Sequence, residues 1–297
     1  MDLGFVARGV WYGVVGVLIV GCVLFTPWGA QFAGADFHRY LAGGRALIET
    51  GDPYSGTFYL YSPAFALIVA PLNALPPSLA LNVWRVAELA ALAWAIRGAG
   101  TAALLVFAMP FLWIGELLVG NMMGFATAAM IAVIVRPSLW TVTLYALLLA
   151  LVPKPALLPV MAYGFVVVPE ARRWVVVIGA FGLAMLLWPG YLAAVRGGPD
   201  NMAAYWAQPF AVITAAALAV LGFRWPRLFG VSAVFASPYV FLYHFTTLGT
   251  LFVQPARVRW RSEAGVRRGF RPVVQGSPLP PSRLASSGDP LETVGGG

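Results

Sequence analysis

Apolar segments follow one another from about residue 10 to residue 253, separated by one long polar stretch, residues 31–62, and otherwise by short polar turns. Of the 297 residues, 60% are hydrophobic and 10% are charged, against roughly 25% charged in a soluble domain. A soluble core of this size cannot hide so much apolar surface, whereas a bilayer solvates it directly. We therefore expect an integral membrane protein with an all-α, polytopic fold.

The apolar segments predict about ten transmembrane helices, several of them short. The first covers residues 10–28, and because no small-residue cleavage site follows it, we interpret it as an anchor rather than a removed signal peptide. The other spans are predicted at residues 78–97, 101–119, 122–135, 138–152, 155–169, 174–192, 209–223, 226–236 and 239–253.

Arginine is concentrated on one side of this predicted bundle. If the N-terminus is cytoplasmic, the turns on that side carry Arg8, Arg97, Arg136, Arg172, Arg173, Arg224 and Arg227. This satisfies the positive-inside rule and predicts a multi-pass cell-membrane protein with cytoplasmic N- and C-termini. The net charge of +8 then follows from topology, so we expect no nucleic-acid partner. Outside the first extracytoplasmic loop, only Lys154 and Arg196 break this bias, since they fall on the extracytoplasmic side.

A polar island, residues 31–62, lies within a large first extracytoplasmic loop, residues 29–77. Residues 36–49 predict a helix lying along the membrane surface, ended by Gly51. Its expected apolar stripe consists of Phe37, Leu41 and Ile48, and its expected polar cluster of Asp36, Arg39 and Tyr40. Residues 61–76 are apolar but short and broken by proline, and predict a surface or re-entrant helix.

The chain divides into a membrane domain, residues 1–253, and a basic tail, residues 254–297. The tail is rich in Arg, Pro, Gly and Ser without periodicity, so we expect it to be disordered and cytoplasmic. Its arginines either bind anionic membrane lipids or only fix the topology. The single cysteine, Cys22, excludes a disulfide within the chain. No metal-ligand spacing or cofactor motif is present in the sequence, and the oligomeric state stays open.

Several polar residues in or beside the apolar segments allow two interpretations. Arg85 and Glu88, three residues apart, form either a structural ion pair or part of a transport pathway. Lys154 extends into headgroups or faces a lipid-linked phosphate. His244, one to two turns into the last span after the Ser237-Pro break, is either a packing residue or lines a wet cavity.

Asp36 is the principal candidate for chemistry, with three possible roles: helix N-cap, proton carrier or general base. As a base it would deprotonate a hydroxyl while cations hold a departing phosphate. That suits sugar transfer from a lipid phosphate, with the donor phosphate meeting Arg39, Lys154 or His244. A single displacement would invert the anomeric centre, and side-chain cations could neutralise the phosphate without a metal.

The segment ADFHRYLAGGRALIETGDPYSGTFYLYSPAFALIVAPLNALP resembles the first outer loop of glycosyltransferase family 87. These are multi-spanning polyprenyl-phosphate-mannose-dependent mannosyltransferases, also met as domain of unknown function 2029. The resemblance continues, in order, through VGNMMG, LVPKPALLPV and SPYVFLYHF, and covers about residues 10–253. It implies a GT-C-type glycosyltransferase architecture with its active site on the extracytoplasmic face.

The resemblance also implies roles for individual residues. Asp36 matches the family's catalytic base, while Lys154 and His244 match positions near the donor phosphate. The other residues expected to bind substrate or shape the loop are His38, Arg39, Tyr40, Asp52, Tyr54, Tyr61, Asn121 and Ser237. The sequence departs from the family pattern in having Tyr61-Ser62-Pro63 instead of a double proline, Asn121 directly after Gly120, and one histidine where two often occur. Because a basic tail follows where the family continues with further spans, we expect a short, C-terminally truncated form.

The expected function is inverting transfer of a hexose, mannose by resemblance, from a polyprenyl-phosphate donor to a lipid or glycan acceptor. The alternatives are a membrane transporter or flippase, and a catalytically inactive truncated membrane protein. A transporter often shows paired halves with broken helices, and this sequence shows no such symmetry.

Overall fold

The structure, a computed structural model, describes residues 3–25, 34–109, 116–196, 209–236, 245–256, 258–259 and 273–274. Up to residue 256 the described chain is helices and connecting turns, which confirms the all-α fold class for this part. The α-helices are α1 (Leu3–Phe25), α2 (Ala35–Thr50), α3 (Pro63–Val69), α4 (Pro77–Ile96), α5 (Thr101–Phe107), α6 (Met123–Val135), α7 (Leu139–Leu151), α8 (Leu158–Val167), α9 (Arg172–Leu186), α10 (Tyr191–Arg196), α11 (Pro209–Gly222), α12 (Leu228–Ala236) and α13 (Phe245–Leu248). Short 3-10 helices cover Ala70–Ala74, Pro155–Leu157, Pro169–Ala171 and Gly249–Phe252.

Two of the described helical segments are long and apolar enough to cross a membrane. They are Leu3–Gly21 within α1 and the whole of α4. Four further apolar helices, α6, α7, α8 and α11, are only 10 to 14 residues long. A helix needs about 20 residues to cross the hydrocarbon core without help, so these lengths support membrane association and leave the number of crossings open.

The main apolar core lies among the helices that follow the island. Helix α4 packs against α6, α6 against α7, and α7 against α9, while α1 packs against α4 and α5. Local signals start these helices: the Ser138 side chain accepts a hydrogen bond from the Thr141 amide, and the Thr141 side chain accepts one from the Ser138 amide. In this packing, the N-terminal ends of α4 and α6 and the C-terminal end of α7 lie at the same end of the bundle.

The polar island covers that end of the bundle. Helix α2 packs against α3 and the Ala70–Ala74 turn, and a second apolar cluster joins them to Leu81 and Trp84 of α4. The predicted helix and its end are confirmed, since Gly51 closes α2 with a φ of 76°. Its position along a membrane surface stays a prediction. Residues 61–76 form a short helix followed by a 3-10 turn that contains Pro71, and their predicted surface or re-entrant placement likewise stays a prediction.

The predicted apolar stripe of α2 is partly wrong. Phe37 and Leu41 are buried, but Ile48 is 67% exposed, and Tyr40, expected on the polar face, is fully buried. The reason is that α2 turns its glycine-rich face toward its neighbours. A Cβ on Gly44 would lie 2.9 Å from the Ala70 Cα, so the absence of a side chain sets how closely the two segments approach.

The predicted boundary of the tail is also displaced. Val253 is fully buried, the Gln254 amide donates to the Ala99 carbonyl over 2.8 Å, and the Ala256 amide donates to the Ile134 carbonyl over 3.0 Å. Beyond this docked segment the structure describes only two short strands, Val258–Arg259 and Val273–Val274, which pair antiparallel. The rest of the tail predicted as disordered lies outside the described residues.

Replacing Gly44 by valine should separate α2 from the Ala70–Ala74 turn. The new side chain meets backbone rather than a movable side chain, so we expect a loss of about 1–3 kcal/mol in the free energy of unfolding. Reversible unfolding of the purified protein in mixed micelles measures it. Ala42→Val, at an exposed position of the same helix, is the matched control, and equal losses in both variants would contradict the packing argument.

Candidate functional site

Asp36 lies in the first turn of α2, where the positive end of the helix dipole favours a carboxylate. It is not the N-cap. That position is held by Gly34, with a φ of 75° and no side-chain hydrogen bond. The N-cap interpretation of Asp36 is therefore wrong, and its carboxylate is left for contacts outside the helix.

Those contacts join the island to a distant part of the chain. Asp36 Oδ2 accepts a hydrogen bond from Asn121 Nδ2 over 2.6 Å, and Asp36 Oδ1 accepts one from Arg39 Nη1 over 3.0 Å. Asn121 is itself fixed, because its Oδ1 accepts the Met123 amide at the start of α6 over 3.0 Å. The side chain of Asp36 is 15% exposed, against 58% for Arg39. The carboxylate is thus held on its inner side by Asn121 and covered on its outer side by a solvated arginine.

Two glycines allow this approach. The Gly34 amide donates to the Leu118 carbonyl over 2.7 Å, which ties the start of α2 to the turn before Asn121. Gly120 has a φ of 65°, and a Cβ there would lie 2.9 Å from the Phe37 Cβ. Both glycines adopt the left-handed backbone that other residues rarely adopt, so the turn and the helix start can touch.

Two buried carboxylates lie behind Asn121. Glu88 of α4 and Glu116 are both fully buried, and both converge on Gly124 in the first turn of α6. Glu116 Oε1 accepts the Gly124 amide over 2.5 Å, and Glu88 Oε1 fills the space where a Gly124 side chain would stand. On the other side, Arg85 donates through Nε to the Leu117 carbonyl over 2.6 Å. The predicted neighbours Arg85 and Glu88 therefore belong to a larger buried cluster.

Lys154 supplies a cation on the same side. It lies half-buried between α7 and the Pro155–Leu157 turn. Burial lowers the pKa of Lys154, while the nearby carboxylates of Glu116 and Asp36 act in the opposite direction. The structure thus brings Lys154 within electrostatic range of Asp36, from a segment 118 residues further along the chain.

Tyrosines fill the space beneath the loop. The hydroxyls of Tyr40 and Tyr61 lie 3.3 Å apart, and the Tyr40 ring packs against Trp84 at a centroid distance of 5.6 Å. Burial raises the pKa of Tyr40, and the neighbouring Tyr61 and Asp36 raise it further. Tyr40 is therefore a neutral, fully buried group that supports Tyr61, whereas Tyr61 is half-buried.

Asp52 and Tyr54 shape the loop. Asp52 Oδ1 accepts the Tyr54 amide over 3.1 Å, a turn in which the side chain mimics backbone. The Tyr54 hydroxyl donates to the Tyr61 carbonyl over 2.8 Å. The Tyr54 ring also packs edge-on against Tyr191 of α10, at a centroid distance of 6.0 Å, so the island touches the segment that follows α9.

Ser62 fastens the loop to the bundle. Its Oγ donates to the Leu151 carbonyl over 2.8 Å, and its amide donates to the same carbonyl over 3.2 Å. The Tyr59 hydroxyl donates to the Ser62 carbonyl over 2.8 Å. Since Leu151 is the last residue of α7, the loop is tied to the chain three residues before Lys154.

Not every predicted residue is brought together. The structure joins Asp36, Arg39 and Asn121 directly and places Lys154 near them, with Tyr40 and Tyr61 below. His38 is exposed on the outer face of α2, beside the Phe37 ring. Ser237 and His244 lie outside the described residues. Glu88 and Glu116 were not among the predicted catalytic or substrate-binding residues. The signal that could have identified them is an acidic residue within an otherwise apolar segment.

No protein-family model matches the chain, and no curated protein or solved structure matches it at a significant level. The resemblance to glycosyltransferase family 87 therefore rests on the sequence motifs alone.

The Asp36–Asn121 hydrogen bond should couple the island to the bundle. In a double-mutant cycle of Asp36→Ala and Asn121→Ala, we expect a coupling of about 1.5–3 kcal/mol in the free energy of unfolding, because the bond is short, partly buried and charge-assisted. Asn121→Ala also removes the hydrogen bond to the Met123 amide. This loss occurs both in the single variant and in the double variant, so it cancels in the cycle.

The matched control is the cycle of Asp36→Ala and Arg39→Ala. Arg39 is solvated, so its coupling to Asp36 should stay below about 0.5 kcal/mol. Equal couplings in the two cycles would show that Asn121 does not anchor the island.

Proposed function

We propose that the chain is a multi-pass membrane glycosyltransferase. It transfers a hexose, mannose in the simplest case, from a polyprenyl-phosphate donor to a hydroxyl of a lipid or glycan acceptor, with inversion. The arginine distribution supports about ten crossings, cytoplasmic termini and an extracytoplasmic site. The first loop, residues 29–77, carries the base, and residues 1–253 form the membrane domain.

The observation that carries the proposal is the Asp36 carboxylate, oriented by Asn121 at 2.6 Å beside the cations Arg39 and Lys154. Each carboxylate oxygen has two lone pairs, so the bonds from Asn121 and Arg39 leave capacity to accept a proton. The base is therefore fixed in direction, with Arg39 bonded to it and Lys154 within electrostatic range.

The proposed step is a single displacement. As the acceptor oxygen forms its bond to the anomeric carbon, its proton passes to Asp36. The bond from that carbon to the phosphate oxygen breaks, and the electron pair leaves with the polyprenyl phosphate. Lys154 and Arg39 are the described cations that can stabilise the departing phosphate.

Asp36→Asn should abolish transfer and leave the fold intact. The amide cannot accept the acceptor's proton, so we expect a rate at least about a hundredfold lower, the lower end of general-base contributions. The measurement is transfer of labelled mannose from polyprenyl-phosphate mannose into lipid by membranes containing the chain. Asp52→Asn makes the same change at the loop-shaping carboxylate and should retain most activity. Wild-type activity in the Asp36 variant would remove Asp36 as the base.

Lys154 should set the alkaline limit of the reaction. Because burial lowers its pKa below the ordinary value of 10.5, transfer should fall on an alkaline limb that lies below that pH. The Lys154→Arg variant keeps its positive charge at alkaline pH, so its activity should no longer fall there. The Lys154→Gln variant lacks the charge, so its rate of transfer should be lower by about tenfold or more at every pH. An unchanged pH profile in the arginine variant would contradict the role of Lys154.

The buried pair Glu88 and Glu116 favours a second candidate, an ion-coupled transporter, because carboxylates inside membrane helices often carry protons. Proteoliposomes separate the two functions. A transporter would acidify or alkalinise the lumen when its solute is supplied, and Glu88→Gln would stop that flux. A glycosyltransferase would show label transfer without proton flux. A folded chain with neither activity would be a catalytically inactive membrane protein.

A further inference from the structure

A narrow apolar groove opens on the surface of the bundle. It has a volume of about 200 Å³ and runs between α4, α6 and α7. Its floor is made of the small side chains Ala128, Ala129 and Ala132 of α6, and its walls include Trp94 and Leu144. Both wall residues are exposed, by 40% and 52%. A slot with an alanine floor and apolar walls has the chemistry of a site for part of an alkyl chain.

Two arginines cover one end of this groove. The Arg136 guanidinium lies over the Trp94 ring at 4.5 Å, and that of Arg97 lies 5.9 Å from the same ring. Arg136 Nη2 donates to the Trp94 carbonyl over 2.9 Å, while its Nε is buried without a hydrogen-bond partner in the described chain. The bond to the carbonyl near the end of α4 explains the position of Arg136 Nη2. It explains neither the burial of Arg136 Nε nor the position of Arg97 over the same ring.

Within the described part of the chain, these two charges lack a nearby acidic partner. Among the described residues, no carboxylate lies within 4.0 Å of either guanidinium. Burial lowers the pKa of Arg136, and the charge of Arg97 lowers it further. Two like charges held together at the mouth of an apolar groove favour an anion at that point.

The docked segment 254–256 lies beside the arginine pair. Gln254 and Ala256 bind the backbone of Ala99 and Ile134, next to Arg97 and Arg136 in the chain. The sequence then continues with RVRWR from residue 257. The basic sequence therefore follows directly on a segment that is bonded next to the arginine pair.

We propose that this groove binds one anionic phospholipid, with an acyl chain on the alanine floor and the headgroup phosphate on Arg97 and Arg136. The occupant is a lipid rather than free phosphate because the arginine pair is continuous with an apolar slot, and basic pockets between membrane helices are known to bind anionic headgroups. The site is separate from Asp36 and does not depend on the proposed transferase activity.

The test uses the full-length chain in detergent, titrated with dioleoylphosphatidylglycerol or dioleoylphosphatidylcholine and followed by native mass spectrometry. The wild-type chain should retain the anionic lipid in preference to the zwitterionic one. Arg97→Gln/Arg136→Gln should lower affinity for the anionic lipid about tenfold and leave the zwitterionic lipid unaffected. Equal retention of both lipids by the wild-type chain would overturn the proposal.

The matched control removes the same charge elsewhere. Arg172 lies over Phe165 at 5.3 Å and Arg173 over Trp174 at 5.8 Å, so Arg172→Gln/Arg173→Gln also removes two aromatic-stacked arginines. This variant should bind the anionic lipid like the wild-type chain. A loss as large as that of the Arg97 and Arg136 variant would mean that only net charge matters, which contradicts a defined site.

A second pair of variants tests the groove. Ala129→Leu should fill the floor, keep both arginines and lower lipid affinity several-fold, whereas Ala87→Leu, on an exposed part of α4, should not. Inorganic phosphate at millimolar concentration should fail to displace the lipid. If phosphate competes and Ala129→Leu binds normally, the arginines form a free-anion site and the lipid proposal is wrong. Thermal unfolding of each variant shows whether it is folded.

Discussion

The arrangement of the island depends on the hydrogen bond between Asp36 and Asn121. A helix placed along a bundle end by apolar contacts alone could slide, since Phe37, Leu41 and Trp84 would pack almost as well in a shifted position. A short bond to a buried amide, itself fixed by the first turn of α6, removes that freedom. The left-handed backbones of Gly34 and Gly120 are the conditions for that bond, since larger residues would keep the two segments apart.

The buried polar groups behind Asn121 link three segments of the bundle. Glu116 Oε1 accepts the Gly124 amide, and Glu88 Oε1 fills the space beside the same glycine. Arg85 donates to the Leu117 carbonyl. A buried carboxyl group is costly unless it is hydrogen-bonded or neutral, so these contacts limit how far the three segments can move apart. The Asp36 carboxylate lies at the edge of this cluster, with the solvated Arg39 on one side and Asn121 on the other.

The sequence predicted the helical class, the extent of α2 and its end at Gly51, because hydrophobic periodicity and glycine act locally. It also selected Asp36, Asn121 and Lys154 as candidates, although their proximity comes from tertiary packing that no spacing reveals. Ile48 and Tyr40 were misplaced because a generic apolar stripe was assumed. The face that α2 buries is instead decided by two glycines: Gly43 leaves room for the Tyr59 ring, and Gly44 lets the backbone at Ala70 approach closely. The docking of residues 254–256 uses backbone hydrogen bonds, which leave no trace in composition.

Ser62 connects two parts of the site that are distant in sequence. Its amide and hydroxyl both bind the carbonyl at the end of α7, and Lys154 follows that carbonyl by three residues. Outward movement of the loop would break these two hydrogen bonds or pull on the segment that holds the lysine. We therefore expect access to the carboxylate and the position of the cation to change together. A ligand bound to Lys154 would then restrain the loop, and a ligand that raised the loop would displace the lysine.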